Sequence, residues 1–361
     1  MTRSRRVTAH TEPLGADEFE QVVAAGRVAG LDEVGACAVQ RWDATRAILE
    51  QRRAEGLAAD MEFTYRNPAR STDPSRILRR AASIVVGARS YAQRVPEAPA
   101  GQVSARVARY ATADHYARLE HGLDAVAREL RALGWRAVVV SDDNALVDRE
   151  AAWRAGIGWY GRNSNMLMPG RGSWFVLGSV VTDALIGSSA PQADGCGSCT
   201  RCLTSCPTDA IVAPGVIDAR RCLAWLLQAP GTFPLEFREA LGDRLYGCDD
   251  CQEVCPPNRS HEQRLDRAGE LPIEDDPGTW LDALELLSLD DEALLERCAR
   301  WYVPDRDAST IRRNLLLVVG NSGNVDDKAV RAALQSHVGH ADPVIAEHAR
   351  WAADHLGLSM V

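Results

Sequence analysis

Eight of the ten cysteines lie between residues 196 and 255, and their spacing limits the fold of this chain more than any other feature. The first run, CGSCTRCLTSCP at 196–207, has the spacing CxxCxxCxxxCP, and the second, GCDDCQEVCP at 247–256, has the spacing CxxCxxxCP. A loop with three thiols at two-residue intervals can hold three corners of a 4Fe-4S cubane, and the cysteine before the proline ligates the other cluster where two such runs occur together. The pattern therefore predicts two 4Fe-4S clusters and single-electron transfer.

The spacing rule assigns all eight thiols. One cluster takes the first three cysteines of the first run and the last cysteine of the second, which are Cys196, Cys199, Cys202 and Cys255. The other cluster takes the last cysteine of the first run, two from the second run, and the only nearby candidate for its fourth corner; these are Cys206, Cys248, Cys251 and Cys222. This arrangement predicts a bacterial-type two-cluster ferredoxin domain at residues 186–260.

Two other uses of clustered cysteines fit this spacing less well. Disulfides are typical of small secreted domains, whereas this chain is long and confines its clustered sulfur to one segment. Zinc binds paired CxxC motifs, but it does not require three cysteines at two-residue intervals followed by CxxxCP. Cys37 and Cys298 stand alone, and we expect them to be small buried apolar side chains without a functional role.

The composition predicts a soluble protein. Of 361 residues, 46% are hydrophobic and 25% are charged, which predicts two or three domains with their own cores. The apolar runs are shorter than the about 20 residues that a membrane helix needs, and polar residues follow the basic MTRSRR start where a signal peptide would be apolar. We therefore expect a cytoplasmic protein without membrane association. The net charge of −9 gives no general attraction to nucleic acid, so an RNA partner would need a local basic patch.

Helical and strand patterns alternate in the first half of the chain. From Ala113 to Gly134, apolar residues recur at three- and four-residue intervals, which predicts a helix with one buried face. Short apolar and β-branched runs predict buried strands, namely SIVVGA at 83–88, AVVVS at 137–141 and SWFVLGSVV at 173–181. The alternation predicts an α/β or α+β layered domain.

Asp142 and Asp143 follow directly after the AVVVS strand. An acidic pair at the end of a strand is usually part of a solvated turn. If either carboxyl were buried beside a cofactor, however, its pKa would rise and it could donate a proton near neutral pH. The residue pattern alone leaves both interpretations open.

Short helical patterns follow the second cysteine run. Residues 257–279 are polar and rich in proline and charge, which predicts a linker at 261–280. Five helical segments come next, namely LDALELLSL, DDEALLERCARW, STIRRNLLLVVGNSG, KAVRAALQSHVG and PVIAEHARWAADHLG. Short helices separated by turn residues predict a C-terminal α-helical HEAT-like repeat at 281–361, whose alternative role is that of a stabilising cap.

Several segments, in order along the chain, resemble one family, the epoxyqueuosine reductases. They are MEFTYRNPARSTDP (61–74), SDDNALVDREAAWRAGIGWYGRNSN (141–165), GSWFVLGSVVTD (172–183), CGSCTRCLTSCPTDAI (196–211), DARRCLAWL (218–226) and RLYGCDDCQEVCPPN (244–258). The resemblance implies that cobalamin and two [4Fe-4S] clusters are the cofactors, and that residues 1–185 form a cobalamin-binding reductase domain. It implies as activity the reduction of epoxyqueuosine to queuosine in a tRNA anticodon loop.

The resemblance also implies roles for single residues. Asp142 matches the family's proton donor above the cobalamin, and the positions that match those lining the corrinoid are Arg70, Asn163, Leu177 and Asp249. The C-terminal helices would grip the tRNA anticodon stem-loop, with candidate contacts at Arg300, Arg306, Arg312 and Arg313. The clusters would pass electrons to cobalt, and Asp142 would supply the proton that lets the epoxide oxygen leave as water. An external electron donor, which the sequence does not identify, must supply the electrons.

The sequence departs from the family pattern in three places. Asn144 and Ala145 stand where proline or glycine is common, GRN replaces GKN at 161–163, and residues 115–117 read His-Tyr-Ala where the family usually has Asp-Tyr-His. Two alternatives therefore remain: a related reductase acting on another modified nucleoside or on a small molecule, as reductive dehalogenases do, and a non-enzymatic iron-sulfur electron carrier. We expect a monomer. The sequence does not identify the tRNA species.

Overall fold

The computed structural model of the chain describes residues 12–63, 65–272 and 278–358. Its strands are β1 (Glu33–Ala38), β2 (Ser83–Ser90), β3 (Ser104–Val107), β4 (Ala137–Ser141), β5 (Trp159–Tyr160), β6 (Met166–Leu167), β7 (Phe175–Thr182), β8 (Ile211–Ala213), β9 (Val216–Ile217), β10 (Arg244–Tyr246) and β11 (Trp280–Asp282). Its α-helices are α1 (Ala16–Val28), α2 (Asp43–Ala54), α3 (Pro68–Ser71), α4 (His115–Ala132), α5 (Asp148–Arg154), α6 (Arg201–Thr204), α7 (Leu223–Leu226), α8 (Arg238–Leu241), α9 (Asp250–Glu253), α10 (Pro256–Ala268), α11 (Ala283–Ser288), α12 (Asp291–Arg297), α13 (Ala308–Ser322), α14 (Lys328–His337) and α15 (Pro343–His355).

Four strands form the main sheet in the order β1-β2-β7-β4, and each neighbouring pair is antiparallel. The fold is therefore mixed, of the α+β type, and the three predicted strands are confirmed as β2, β4 and β7. β4 lies at an edge of the sheet, and Val138 and Val139 are only half-buried. The prediction that AVVVS is a buried strand is wrong for these two positions, because an edge strand has a sheet neighbour on one side only.

Helix α4 covers one face of the main sheet and confirms the helix predicted from the apolar spacing. Leu119, Leu123 and Leu130 are fully buried on its inner face. Gly178 of β7 permits the close packing, because a Cβ atom there would lie 2.6 Å from Leu123 Cδ1. Helix α5 packs on the same sheet near β7, β1 and β2, and it begins shortly after the end of β4, so β4, Asp142 and α5 form a strand-turn-helix unit.

A second sheet joins three of the predicted domains. β3 pairs in parallel with β10 and antiparallel with β11. β3 belongs to the predicted reductase domain at 1–185, β10 belongs to the predicted ferredoxin domain at 186–260, and β11 begins at the last residue of the predicted linker. Ala105 and Val107 of β3 share one buried cluster with Leu315 and Leu317 of α13. The predicted boundaries therefore pass through a single packed core.

The predicted linker at 261–280 is wrong over its first part. Helix α10 continues to Ala268, and Gly269 follows it in the left-handed conformation with a φ of +70°. The helix buries only Asn258 and His261, so its polar composition reflects a helix that mostly faces solvent. Residues 273–277 of the predicted linker lie outside the described residues.

The five predicted C-terminal helices are confirmed as α11 to α15. Each follows an aspartate whose carboxylate accepts backbone N–H groups of the first turn, at Asp282, Asp290, Asp307, Asp327 and Asp342. Helix α13 is buried along nearly its whole length and packs against α11 and α15. Over the described ranges, no helix combines the length and the hydropathy needed to cross a membrane.

The prediction that Arg312 and Arg313 contact tRNA is wrong, because α13 places both side chains in the interior. Arg313 is 1% exposed, and its guanidinium donates hydrogen bonds to the carbonyl oxygens of residues 226, 229 and 231 and to the side chain of Asn314. Arg312 is 7% exposed and donates to the carbonyl oxygens of residues 287 and 289. By contrast, Arg300 and Arg306 are exposed.

Candidate active site and cluster loops

The two cysteine runs fold into adjacent loops, each with one turn of helix. Helix α6 lies within the first run, α9 lies within the second, and the two helices are neighbours. All ten cysteines of the chain are free thiols. Within the described ranges, no three His, Cys, Asp or Glu side chains are arranged to hold a single metal ion.

Electrostatic interactions between the thiols identify a first group around Cys255. Burial raises the pKa of Cys255 to about 11, and the neighbouring thiols that raise it further are Cys196, Cys202 and Cys199. The pKa of Cys202 is also raised by burial first, and then by Cys196 and Cys199. These four cysteines are the ones that the spacing rule combines in one ligand set.

A second group forms around Cys222, which lies outside both runs and directly precedes α7. Burial raises the pKa of Cys222, and Cys206 adds to this effect. Burial likewise raises the pKa of Cys251 strongly, and the thiols of Cys248 and Cys222 contribute to the rise. The backbone N–H groups of residues 224 and 225 lower the pKa of Cys222. Donors in that position favour the thiolate, which is the form that binds iron.

The loop after the β5 strand contacts the second cysteine run. Asn163 is buried, and its side-chain amide donates to the carbonyl oxygen of Cys251 at 3.1 Å. The amide nitrogen of Asn165 lies 4.0 Å from the Cys251 sulfur. The predicted residue Asn163 therefore lies beside one group of thiols.

Asp249 is buried between two cysteines of the second run. Its carboxylate accepts the backbone N–H of Arg109 at 2.8 Å. Burial raises the pKa of Asp249 to about 6, although the hydrogen bond and the charge of Arg109 oppose the rise. The guanidinium of Arg109 pairs with Glu262 and lies 4.2 Å from the ring centre of Trp174, which fixes this wall of the site.

Asp142 and Asp143 differ in their environments at the end of β4. Asp142 has a φ of +48°, which is uncommon for a residue other than glycine. Desolvation, followed by the charge of Asp143, raises the pKa of Asp142. The Asp143 carboxylate accepts the backbone N–H of Ala145 at 2.7 Å and lies 3.8 Å from the Arg70 guanidinium. Asp143 therefore stabilises the turn, whereas Asp142 is the carboxyl that tends to keep a proton.

Asp148, the first residue of α5, is a functional candidate that the sequence reasoning missed. One of its carboxyl oxygens is buried and has no hydrogen-bond partner among the described residues. Burial, followed by the charge of Asp142, raises the pKa of Asp148 to about 8. In the sequence it resembles an ordinary acidic residue in the first turn of a helix. Asp148 follows Asp142 by six residues, at the start of the helix after the turn, and this spacing is the sequence signal that places the two carboxyls near each other.

Tyrosine side chains connect the Asp142 turn with the second cysteine run. Burial raises the pKa of Tyr116, and both Asp142 and Asp148 add to the rise. Burial raises the pKa of Tyr246 to about 12, with a smaller contribution from Asp142. The rings of Tyr246 and Tyr110 are 6.3 Å apart, and Asp249 contributes to the raised pKa of Tyr110. The charge of Asp142 thus acts on Tyr116 and Tyr246, and that of Asp249 acts on Tyr110, the neighbour of Tyr246.

The other predicted site residues lie on the same side of the main sheet or within it. Arg70, in α3, has a half-exposed side chain next to Asp143. Leu177, in β7, pairs with Ala88 and is 9% exposed. The structure therefore places Arg70 next to Asp143, the residue after Asp142, places Asn163 and Asp249 at the second cysteine run, and places Leu177 in the main sheet.

The neutral Asp148 carboxyl leads to a stability prediction. An unfolded aspartate titrates at about 4, whereas the native residue keeps its proton up to about pH 8. Between these two pH values the native state binds one proton more than the unfolded state. The free energy of unfolding therefore decreases as the pH rises through this range. The thermal midpoint of Asp148→Asn should therefore exceed that of the wild type by more at about pH 8.5 than at about pH 5. If the two thermal midpoints differ by the same amount at both pH values, the raised pKa of Asp148 would be contradicted.

Comparison with protein families identifies the cysteine segment. A family model described as a 4Fe-4S double cluster binding domain matches residues 195–258. This range contains all eight clustered cysteines and both of the loops described above.

Comparison with curated proteins extends the similarity to nearly the whole chain. The epoxyqueuosine reductase of Vibrio cholerae serotype O1 is 32% identical over 340 residues, which cover 90% of this chain and 88% of that protein. The epoxyqueuosine reductase of Bacillus subtilis is 31% identical over 349 residues, which cover 94% of this chain and 87% of that protein.

Solved structures give the same result. A crystal structure of epoxyqueuosine reductase with an epoxyqueuosine-modified tRNA-Tyr stem loop matches with a TM-score of 0.83 and 28% identity, covering 94% of this chain and 90% of that chain. The epoxyqueuosine reductase of Streptococcus thermophilus matches with a TM-score of 0.84, 25% identity and the same coverage.

Proposed function

The chain belongs to the epoxyqueuosine reductase family, and we propose that it is an oxidoreductase that reduces the epoxide of epoxyqueuosine to give queuosine in a tRNA. The observation that carries this proposal is the match along 94% of the chain to a relative crystallised with an epoxyqueuosine-modified tRNA stem loop. In this chain the matched fold carries two adjacent cysteine loops and, at the end of β4, a carboxyl whose pKa is raised.

The eight clustered cysteines hold two 4Fe-4S clusters in this proposal. The ligand sets are Cys196, Cys199, Cys202 and Cys255 for one cluster, and Cys206, Cys222, Cys248 and Cys251 for the other. Support comes from the thiols that interact around Cys255 and from those that interact around Cys222 and Cys251; Cys202 of the first set also acts on Cys251, since the two loops are neighbours. Four thiolates are the number that a 4Fe-4S cluster requires.

Unpaired buried oxygens near Asp142 support the proposal that cobalamin binds there. Ser141 Oγ and Asp148 Oδ1 are buried there without hydrogen-bond partners among the described residues, and the amide groups at the rim of a corrin ring can donate to such oxygens. The residues that would hold the cofactor are Arg70, Asn163, Leu177 and Asp249, with Asp142 beside them. When bound, the clusters supply single electrons and cobalamin supplies the strong reductant that the epoxide requires.

Asp142 donates a proton in the proposed reaction. Removal of the epoxide oxygen as water consumes two electrons and two protons, and the carbon–oxygen bonds break more easily when the departing oxygen is protonated. Desolvation and the charge of Asp143 raise the pKa of Asp142, which favours the protonated form that a proton donor needs. Asp148 is mostly neutral at pH 7, since its pKa is about 8, so it does not add a full negative charge beside the departing oxygen.

The tRNA is bound through an unpaired loop, whose modified base can be turned out of its stack into a buried pocket. Arg300 and Arg306 are proposed to contact it, because both are exposed. We also propose that α11 to α15 form the HEAT-like part of this surface, that the enzyme acts as a monomer in the cytoplasm, and that an external donor supplies the electrons.

An anaerobic assay tests the function. The protein, reconstituted with iron, sulfide and cobalamin, is mixed with a chemical reductant and epoxyqueuosine-bearing tRNA, and the digested nucleosides are separated by mass. Conversion to queuosine is the expected result. If another substrate class is reduced instead, the alternative of a related reductase replaces the proposal. If clusters form but no cobalamin is bound, the alternative of an electron carrier replaces it.

A further inference from the structure

The segment from Arg297 to Arg306 presents an unusually exposed aromatic side chain. Tyr302 is 62% exposed, although its neighbours Trp301 and Val303 are 8% and 6% exposed. The segment connects α12 with α13 and contains two residues with positive φ, Asp305 and Arg306. A single exposed aromatic ring is common on protein surfaces, so a binding role for Tyr302 must be argued from the residues around it.

The backbone of Tyr302 is attached directly to the wall of the active site. The hydroxyl of Tyr246 accepts the Tyr302 N–H at 2.9 Å and donates to the Tyr302 carbonyl oxygen at 3.3 Å. The Tyr246 ring stacks on Trp301 with centroids 4.6 Å apart. Tyr246 is also one of the phenols on which the charge of Asp142 acts. Tyr302 is therefore held by Tyr246, a tyrosine that is close enough to Asp142 for the carboxyl charge to act on it.

Further hydrogen bonds hold the segment against residues 111 and 112, next to Tyr110. Trp301 Nε1 donates to the carbonyl oxygen of residue 111, and Arg300 donates to that of residue 112, both at 3.1 Å. The segment is thus a fixed platform, so that binding on Tyr302 would require little ordering of the protein.

The segment 297–306 carries three arginines and one exposed carboxylate, Asp305. Arg297, Arg300 and Arg306 are exposed, and none of them is paired with a carboxylate among the described residues. Each guanidinium has five N–H donors, and the bonds that Arg300 and Arg306 make to carbonyl oxygens leave other donors available. An exposed aromatic ring in a segment with three arginines that make no ion pair among the described residues matches single-stranded RNA, whose bases stack on aromatic rings while arginines hold the phosphates.

We propose that Tyr302 is a stacking site for an unpaired base of the anticodon loop other than the base that is reduced, and that Arg300 and Arg306 hold the adjoining phosphates. This inference rests on the proposed function, because it assigns a further contact to the same RNA substrate. Stacking at the rim would position the loop so that the modified base reaches the pocket. Tyr302 is therefore a positioning residue and does not touch the reacting atoms.

The test compares Tyr302→Ala, Tyr302→Leu and Tyr302→Phe in the reconstituted full-length enzyme. The kcat and KM are measured with an epoxyqueuosine-bearing stem-loop as substrate. The Kd is measured with a fluorescein-labelled unmodified stem-loop as ligand. Loss of one stacked base should raise KM and Kd by about tenfold in the alanine and leucine variants, with kcat nearly unchanged, while Tyr302→Phe should match the wild type. Val28→Ala is the matched control, because Val28 is 91% exposed on α1.

A second readout separates stacking from a structural effect. 2-Aminopurine is placed at each unpaired loop position in turn, and one position should show quenching that Tyr302→Phe retains and Tyr302→Ala loses. Unchanged KM and Kd in Tyr302→Ala, or equal losses in the alanine and phenylalanine variants, would overturn the inference. A wild-type enzyme that does not convert the stem-loop would instead overturn the proposed function, so the two failures can be distinguished.

Discussion

The Cys222→Ala variant is expected to contain about four irons instead of about eight and to convert no epoxyqueuosine. Cys222 is the cysteine outside both runs, and the second cluster needs it as a fourth ligand if the proposed sets are correct. Its thiol interacts with those of Cys206, Cys248 and Cys251. Without one of two clusters, the path for single electrons is interrupted. Iron and sulfide analysis of anaerobically reconstituted protein, together with the nucleoside assay, measures both effects.

Cys298→Ala is the matched control, because Cys298 is buried in the C-terminal core and belongs to neither group of thiols. It should keep about eight irons and wild-type turnover. Eight irons and normal turnover in Cys222→Ala would show that another residue completes the second cluster. Loss of both clusters in Cys298→Ala would show that the assay reports core stability and not ligation.

Asp142→Asn is expected to lower kcat by about 10²- to 10⁴-fold, the range that a lost general acid causes. Asparagine has nearly the same size but cannot donate a proton to the departing oxygen. Iron content and stem-loop binding should remain unchanged, because Asp142 ligates no cluster in the proposed sets and asparagine has nearly the same size. Single-turnover assays with pre-reduced enzyme isolate this step from the supply of electrons.

Asp143→Asn provides the comparison for Asp142. The Asp143 carboxylate accepts the N–H of Ala145 and lies near Arg70. The side-chain oxygen of asparagine can accept the same hydrogen bond, so kcat should fall by less than about tenfold. Equal kcat values for Asp142→Asn and the wild type would end the assignment of Asp142. A large loss in Asp143→Asn alone would transfer the proton donor to the neighbouring residue.

The sequence predicted best those features that depend on local spacing. The cysteine runs are local, because up to three thiols of each 4Fe-4S cluster come from one short loop and only the remaining ligands come from elsewhere in the chain. Helix α4 and helices α11 to α15 follow from apolar periodicity and from caps such as Asp307 and Asp342. The position of Asp142 follows from the end of a strand that is clear in the sequence.

The errors arise where distant parts of the chain decide the outcome. In the sequence, Arg312 and Arg313 resemble part of a basic surface, but α13 is buried by other elements. The Arg313 guanidinium donates hydrogen bonds to carbonyl oxygens within residues 226 to 231. Helix α10 resembles a linker because most of its residues face solvent. The acidity of Asp148 depends on burial and on the charge of Asp142, neither of which is visible in the segment VDREA.

Because β3 pairs with both β10 and β11, the ferredoxin segment is not structurally independent of the rest of the chain. A fragment excised at 186–260 would carry β10 away from its partner and leave Leu245 and Tyr246, now 0% and 3% exposed, without cover. The electron-transfer segment could therefore not be exchanged for a foreign ferredoxin by a simple cut at its ends. Any ancestral fusion must have been followed by coordinated change in all three strands, and grafts that aim to alter the redox partner should keep residues 104–107, 244–246 and 280–282 from a single parent.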